Sequence, residues 1–278
     1  MCFSLRYCLL ISGGIIENYR YHRFLLKQLP PPTCILCADS GLKHLDRLHL
    51  SADIVVGDFD SVDPTVLSVY QAQGGLVAQY PPEKDYSDTE LAIETAVRMG
   101  YSSILIFGAL GARPDHTFTN IQLLSKNAKR GNRLVLANEY SMITTVSNGG
   151  CLKIDRQNIL WSFLSAATSS QGAATVSDTF CVATISDAHG STSSDSTASA
   201  VSDVSSTAAA SSFSDTLLIS IFPIGGKAHC VQTKGLKYPI FNLTLPEDYT
   251  TGLSNEFIER YAEISVSSGI LLVMACRD

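Results

Sequence analysis

Three aspartates stand close together directly after a short apolar run. The stretch ADIVVGDFDSVDP, residues 52–64, carries Asp58, Asp60 and Asp63, and its apolar residues predict a buried strand that ends at Gly57. If the strand geometry persists beyond Gly57, Asp58 and Asp60 point the same way and can converge. Two carboxylates 4 Å apart repel by roughly 4 kcal/mol at an effective dielectric of 20. Converging acids therefore need a cation, or some of them must take up protons.

Further aspartates follow other predicted strands. Asp39 ends the second strand, Asp85 and Asp88 follow the fourth, and Asp115 follows the fifth. The carboxyl ends of parallel strands form one edge of an open sheet, and ligands bind at that edge. An all-oxygen set without His or Cys suits Mg²⁺, which usually shares its shell with substrate phosphates. The sequence therefore predicts a magnesium and phosphate site at this edge.

Helix capping is the alternative interpretation for each acid taken alone. Asp and Ser are favourable N-cap residues, and SDTE at residues 87–90 has the form of a capping box. Asp58 and Asp60 precede a separate turn, and Asp85 lies outside the capping box. Capping therefore does not explain the whole set.

Residues suited to phosphate groups lie near the same predicted edge. Gly108 and Gly111 allow a ligand to approach the backbone closely, and Arg113 and Lys84 can meet phosphate charge. The chain has neither a P-loop nor a G-x-G-x-x-G after the first strand. The prediction of a magnesium and phosphate site therefore depends more on the acids than on the glycines.

Cysteine and histidine are interpreted as packing or polar residues rather than ligands. Cys34 and Cys37 form a single C-x-x-C inside TCILCAD, a predicted strand, which places their side chains on opposite faces. We expect buried thiols in a reducing compartment, and with them a cytoplasmic location. His44 and His116 are assigned no ligand role.

The first half of the chain alternates apolar strands with helical patterns. Strands are predicted in RYCLLIS, TCILCAD, ADIVVGD, LVAQYP, SSILIFGA and RLVLAN, and helices in SGLKHLDRL, DPTVLSVYQAQG, SDTELAIETAVRMG and HTFTNIQLLSKNAKRG. Continuous apolar strands with intervening helices are typical of an α/β fold with an open, mainly parallel sheet. We predict a Rossmann-like domain over residues 1–145, which carries the magnesium and phosphate site; the family resemblance described below implies that this is the catalytic domain and binds ATP.

The pattern changes from about residue 150. CLKIDRQNILWSFL, DTLLISIFPIG, KAHCVQTKGLKY and EISVSSGILLVMA are interpreted as strands without a helix between them. We predict a small all-β domain over residues 146–278. Its low-complexity insert, residues 165–214, is rich in Ser, Ala, Thr and Asp and contains no Lys or Arg, so disorder is the expectation.

Charge and hydropathy exclude some partners. A net charge of −6 and a pI of about 5.5 argue against nucleic-acid binding through a broad basic surface. No apolar run reaches transmembrane length, and MCFSLRYCLLISGG, interrupted by Arg6, is interpreted as leading into a first core strand rather than as a signal peptide. We expect no nucleic-acid and no membrane partner.

Several motifs together resemble the thiamine pyrophosphokinase family. They are GDFDSV, EKDYSDTELAI and GALGARPDHTFTN, followed in the C-terminal half by TKGLKYPI and GLSNEF, in the family's order. The resemblance implies an α/β catalytic domain, a β-sandwich-like thiamine-binding domain and a homodimer with active sites at the subunit interface. It implies Mg²⁺-dependent transfer of pyrophosphate from ATP to the thiamine hydroxyl, which gives thiamine diphosphate and AMP.

The resemblance also implies roles for individual residues. The implied metal ligands are Asp58, Asp60 and Asp88. The implied catalytic residues are Asp58, Asp60, Asp85, Asp88 and Asp115; the implied ATP-binding residues are Asp39, Ser61, Lys84, Ser87, Gly108, Gly111 and Arg113; the implied thiamine-binding residues are Tyr238, Ser254 and Asn255. Asp85 and Asp115 both stay open as acceptors of the hydroxyl proton.

Three positions depart from the family pattern, because Ser40, Ala109 and Ala112 stand where the family often has glycine. A side chain would strain the backbone there if the family's turns need positive φ. Two other functions stay open from the residues alone. One is a magnesium-dependent phosphohydrolase that uses an Asp of the D-x-D at Asp58 and Asp60 as nucleophile. The other is a non-catalytic sensor of thiamine or a nucleotide.

Overall fold

The computed structural model describes residues 5–60, 62–81, 85–111, 113–166 and 216–277. Ser61, Lys84, Ala112 and nearly all of the insert predicted at 165–214 lie outside the described residues. The interpretations given to them above therefore stay predictions.

Six parallel strands form the part of the main sheet that positions the acids. They are β1 Cys8–Ile11, β2 Cys34–Ala38, β3 Ile54–Gly57, β4 Leu76–Gln79, β5 Ser103–Phe107 and β6 Arg133–Ala137, in the order β4-β3-β2-β1-β5-β6. Successive residues of β1 enter different cores: Leu9 and Ile11 pack into one apolar cluster, Cys8 and Leu10 into the other. Burial on both faces explains why these strands are continuous apolar runs.

Five helices connect and cover these strands. They are α1 Tyr19–Lys27, α2 Leu42–Leu48, α3 Pro64–Ala72, α4 Asp88–Arg98 and α5 Pro114–Ala128. Two begin at the caps that the sequence suggests: Asp63 Oδ1 accepts from Thr65 N at 2.8 Å, and Ser87 Oγ accepts from Glu90 N at 3.2 Å. The third aspartate of DFDSVD is thus a helix cap, unlike Asp58 and Asp60.

Strands from the C-terminal half extend the same sheet. β7 Ser141–Ser147, β14 Ile270–Arg277, β9 Leu217–Pro223 and β12 Asn255–Glu256 add to β6 in that order through antiparallel pairs, giving ten strands. A separate antiparallel sheet has the order β11-β10-β13-β8, with β8 Cys151–Asp155, β10 Ala228–Lys234, β11 Leu243–Leu245 and β13 Tyr261–Ser265. The predicted fold class, a large mainly parallel sheet with an antiparallel β region, is confirmed. The domain division at 145/146 stays a prediction, and β7 spans it.

Two details of the predicted β region are wrong. CLKIDRQNILWSFL is not one strand, because α6 covers Ile159–Ser165. Asn158 caps this helix by accepting from Trp161 N at 3.3 Å, and Leu160, Phe163 and Leu164 are buried at helical spacing. EISVSSGILLVMA likewise contributes to two strands, β13 and β14. A short apolar run does not distinguish a strand from a buried helix turn.

The two cysteines of the C-x-x-C lie on opposite faces of the main sheet, as predicted: Cys37 packs into one apolar cluster and Cys34 into the other. The six cysteines among the described residues are free thiols. In the part of the chain that the structure describes, no helix is long and apolar enough to cross a membrane.

Candidate active site

Three carboxylates converge at the carboxyl ends of two neighbouring strands. Ligand oxygens of Asp39, after β2, and of Asp58 and Asp60, after β3, all lie within 4.8 Å of one another. Asp39 is buried, Asp58 is half-buried and Asp60 is exposed. The group is therefore open to solvent on one side.

A turn, not strand alternation, brings Asp58 and Asp60 together. Strand geometry, the condition under which the sequence brings the two acids together, does not persist, because β3 ends at Gly57 and Phe59 adopts a left-handed backbone with φ 63°. Asp58 Oδ1 accepts from Asp60 N at 3.4 Å, which closes an Asx-type turn. Phe59 packs against the core, and the two acids on either side of it share the turn. Left-handed non-glycine residues are sparsely populated and concentrate at functional sites.

Gly57 allows the neighbouring strand to bring its acid close. A Cβ at Gly57 would lie 3.0 Å from Asp39 Cβ and 3.2 Å from Asp39 Cα. Asp39 itself has a positive φ of 41°. The glycine is needed for close approach between β2 and β3, whereas its own φ is not in the left-handed region.

A pocket of about 510 Å³ adjoins the three acids. It lies between the ends of β1 and β5. Strands β2, β3 and β4 are added in turn on one side of β1, and β5 is then added on the other side. Ligands of open α/β sheets bind at such a switch point. The lining comprises residues 12–15, 38–40, 87–89 and 108–111, with Arg113, His116, Thr117 and Asn120 of the α5 region. Asp39 belongs to both the pocket and the acidic group, so the two are contiguous.

Backbone-to-backbone contact builds the pocket wall between β1 and β5. Gly14 N donates to Gly108 O at 2.9 Å. Gly108 has a φ of 69°, and a Cβ there would lie 2.4 Å from Ser12 O. The glycine predicted to bind phosphate thus also permits the wall itself to form. The turn after β1, residues 12–14, was not predicted as part of the site; the glycine pair in ISGG was the available signal.

Two helix N-termini open onto the pocket. Ser87 and Asp88 begin α4, and Arg113 precedes α5. Backbone N–H groups at helix N-termini favour anionic ligands. The two helices are tied together by Lys126 of α5, whose Nζ lies 2.5 Å from Glu90 Oε1. The Glu90 carboxylate therefore forms an ion pair that joins α4 to α5.

Asp88 lines the pocket but is not a member of the three-acid group. Asp39, predicted to bind ATP, takes the third place in that group instead. A ligand role for Asp88 stays a prediction.

Arg113 and Asp115 form an exposed ion pair at the pocket rim. Arg113 Nη2 lies 2.6 Å from Asp115 Oδ2, and the side chains are 69% and 63% exposed. The hydrogen bond from Arg113, joined by one from the His116 backbone, lowers the pKa of Asp115 to about 2. Asp115 and Asp85 are exposed, and neither lines the pocket. Their catalytic roles stay predictions.

The side chains at two of the departures from the family pattern do not strain the backbone. Ser40 and Ala109 lie outside the positive-φ region, and Ala109 is packed in the core. The strain considered from the sequence therefore does not arise at these two positions.

The three residues predicted to bind thiamine lie together in the β region. Asn255 Oδ1 accepts from Tyr238 N at 3.0 Å, and Asn255 Nδ2 donates to Tyr238 O at 2.7 Å. Ser254, with a φ of 57°, donates its N–H to Ser220 Oγ at 3.0 Å. The Tyr238 side chain is left 63% exposed. The pair of hydrogen bonds fixes the backbone and presents the ring to solvent.

This group and the acidic group lie towards opposite edges of the main sheet. Asn255 is in β12, the strand at one edge, and Asp58 follows β3, which is eight strand positions away. At ~4.8 Å per strand this separation is ~38 Å across the sheet. One small ligand cannot contact both groups within a single chain.

The sheet order, the switch-point pocket and the adjoining acids define the class of open α/β proteins that bind ligands at strand carboxyl ends. Comparison with known proteins identifies the family. The model of the thiamin pyrophosphokinase catalytic domain matches residues 28–136, and that of the thiamin pyrophosphokinase vitamin B1 binding domain matches residues 212–271. The two models together cover more than half of the chain, which belongs to the thiamin pyrophosphokinase family.

Individual relatives agree with this assignment. The chain is 24% identical over 222 residues to a thiamine pyrophosphokinase of Bacillus subtilis, covering 80% of this chain and 77% of that one. Thiamine pyrophosphokinase 1 of rice is 31% identical over 131 residues, covering 40% of this chain and 50% of its own length. The fold resembles the crystal structure of the Bacillus subtilis enzyme (TM-score 0.67, 21% identity, 98% and 100% coverage). It also resembles thiamin pyrophosphokinase from Candida albicans (TM-score 0.63, 17% identity, 99% and 91% coverage).

Proposed function

We propose that the chain transfers the pyrophosphoryl group of ATP to the thiamine hydroxyl, giving thiamine diphosphate and AMP, with Mg²⁺ at Asp39, Asp58 and Asp60. The reaction follows from the family, because models of both its domains match in order. The convergence of these three carboxylates, one of which also lines the switch-point pocket, carries the metal assignment. A cytoplasmic location stays a prediction.

The three carboxylates fit magnesium. They offer only oxygen ligands, which Mg²⁺ prefers. The oxygens lie within 4.8 Å of one another, so one cation could be held by all three side chains. When bound, the ion neutralises the phosphate oxygens that carry the developing charge. Asp58 and Asp60 would hold it together with Asp39, the member of the group that also lines the pocket.

The pocket residues orient ATP. The N-termini of α4 and α5 present N–H groups to its phosphates, and Arg113 adds a positive charge at the rim. In-line transfer depends mainly on positioning and charge stabilisation, with little covalent chemistry for the protein. Asp85 and Asp115 remain the candidates for the acceptor of the hydroxyl proton.

We also propose that the active site is completed by a second copy of the chain. The support is the ~38 Å that eight strand spacings place between the acids and the β12 edge, where Tyr238 and Asn255 lie. The β region near that edge exposes large apolar side chains, among them Phe241 (74%), Leu253 (65%) and Ile258 (65%). A two-fold dimer that sets this region of one chain against the pocket of the other brings both substrates together.

One assay tests the reaction: AMP formation from ATP, with and without thiamine and with and without Mg²⁺. AMP that appears only with thiamine and the metal supports the proposal. Phosphate release from nucleotides without thiamine favours a phosphohydrolase. Tight binding of either ligand without turnover favours a sensor.

Mixing two impaired variants tests the shared site, with thiamine kept far below the KM of the Tyr238 variant so that this variant alone turns over little. Asp58→Asn impairs the acidic group of each site, and the double variant Tyr238→Ala with Asn255→Ala impairs the thiamine-binding group. Random reassembly of the two chains should restore about a quarter of wild-type turnover, because half of the dimers are mixed and each has one intact site. Sites contained within one chain would give no recovery.

A further inference from the structure

The turn after β1 is held by two side chains of helix α2. Lys43 Nζ donates to Gly13 O at 2.7 Å, and His44 Nε2 donates to Gly14 O at 2.8 Å. Residues 12–15 line the pocket, whereas α2 follows β2. The position of this wall therefore depends on contacts between side chains of one connection and backbone carbonyls of another.

His44 is locked in one orientation by a second hydrogen bond. It is 3% exposed, and its Nδ1 lies 2.7 Å from the hydroxyl of Tyr19 on α1. A carbonyl can only accept, so Nε2 carries the hydrogen that Gly14 receives, and in the neutral ring Nδ1 accepts from Tyr19. Burial lowers the pKa of His44, which favours this neutral form. The Arg47 guanidinium lies over the Tyr19 ring, 4.0 Å from its centre, and this contact restrains the ring.

The opposite side of the turn is held by the sheet and by α4. Gly14 N donates to Gly108 O at 2.9 Å, and the hydroxyls of Ser12 and Thr89 lie 2.7 Å apart. Contacts on both sides keep the turn at a defined distance from the α4 N-terminus. Loss of the α2 contacts would leave only one side held.

We propose that Lys43 and His44 are positioning residues for the nucleotide: they hold the 12–14 turn where the ATP pocket requires it. This inference rests on the proposed function, because it takes the pocket as the ATP site. Neither residue need contact ATP. A wall that is already ordered needs less ordering when the ligand binds, and this strengthens binding.

The test compares two substitutions at His44 by calorimetry with a non-hydrolysable ATP analogue and Mg²⁺, without thiamine. His44→Phe keeps a ring but removes the donor, and the dissociation constant should rise about fivefold, the size expected for one hydrogen bond. His44→Gln keeps an amide donor for Gly14 O, and it should bind within about twofold of wild type. The inference is overturned if His44→Phe binds the analogue with the wild-type dissociation constant, or if both variants lose affinity equally.

A stability-matched control separates positioning from general loosening. Ile154→Val shortens a fully buried side chain in β8, which is in the other sheet. It should lower the melting temperature yet leave the analogue's dissociation constant unchanged. A similar loss of binding in Ile154→Val would show that lowered stability explains the effect.

Lys43→Met gives a second test if His44→Phe does not fold, because Lys43 is exposed. It should weaken analogue binding by about twofold to fivefold, while Lys27→Met, at the end of the neighbouring α1, should not. Equal binding by both lysine variants overturns the inference. Wild-type protein that binds the analogue but forms no AMP would refute the proposed function alone. Wild-type protein that does not bind it refutes the positioning role as well.

Discussion

The acidic group and the Tyr238 group obtain their geometry in different ways. Asp39 and Asp58 follow buried parallel strands, and two left-handed residues and a close glycine contact bring them together. Tyr238 and Asn255 fix each other by backbone hydrogen bonds beside a short edge strand, and the ring stays exposed. Carboxylates held close together repel one another, so their convergence needs the rigid edge of a buried sheet. An exposed aromatic ring meets no such repulsion, and a short edge strand is enough to support it.

The largest expected effect is on the acidic group. Asp58→Asn and Asp60→Asn should each lower turnover at saturating ATP by about two to three orders of magnitude, because the metal loses a ligand. Removing one of the mutually repelling charges should keep the metal-free melting temperature or raise it by about 2 °C. Steady-state kinetics and metal-free thermal unfolding measure the two effects. Asp46→Asn, an exposed change on α2, is the control, and near-normal turnover in either site variant would refute the metal assignment.

The Tyr238 group should respond more weakly and for one substrate only. Tyr238→Ala should raise the KM for thiamine by roughly fivefold to tenfold, the range for a lost aromatic contact, and leave ATP analogue binding unchanged. Kinetics at varied thiamine, with calorimetry for the analogue, measure both. Tyr261→Ala, on β13, serves as the matched aromatic control. If Tyr238→Ala weakened thiamine use and ATP analogue binding equally, the acidic group and the Tyr238 group would act as one functional unit.

The low-complexity insert predicted at residues 165–214 should matter still less. Replacing it by a short glycine-containing turn should change turnover by less than about twofold, because loop closure depends weakly on length. The described residues nearest to it on either side, Leu164 and Thr216, do not line the pocket. Turnover and the melting temperature are the measurements. A well-folded variant with strongly reduced turnover would assign this segment a part in the site.

The smallest effect concerns the ion pair at the pocket rim. Arg113→Met should raise the pKa of Asp115 from about 2 toward its ordinary 3.8, because the arginine is the main cause of the shift. Because the pKa of Asp115 is lowered in the folded protein, the ion pair contributes to the free energy of unfolding above pH 3.8. This contribution is lost as the pH falls through about 2. Both side chains are exposed, so the change in stability should be slight. Carboxyl NMR titration measures the pKa of Asp115 in both proteins. The same pKa in Arg113→Met and in the wild type would show that the pair does not form in solution.

Hydrophobic pattern alone was sufficient for the six parallel strands of the main sheet and for where its acids lie, but not for the four antiparallel strands that extend that sheet. The strands are buried on both faces, so each appears as a continuous apolar run, and the acids follow directly in sequence. The pattern was insufficient for α6, because a seven-residue apolar stretch fits a strand as well as two helix turns. It was also insufficient for β12, a two-residue strand.

The sequence by itself determined the fold class, the family and the identity of the acids, because these depend on residue types and their local spacing. Tertiary structure alone decided which acids meet. Asp39 joins Asp58 and Asp60 because β2 and β3 are neighbours and Gly57 leaves room for its side chain. Likewise, only the strand order separates Tyr238 and Asn255 from the acids by eight positions. Distances between segments far apart in the chain are set by how the strands pair, which local patterns do not record.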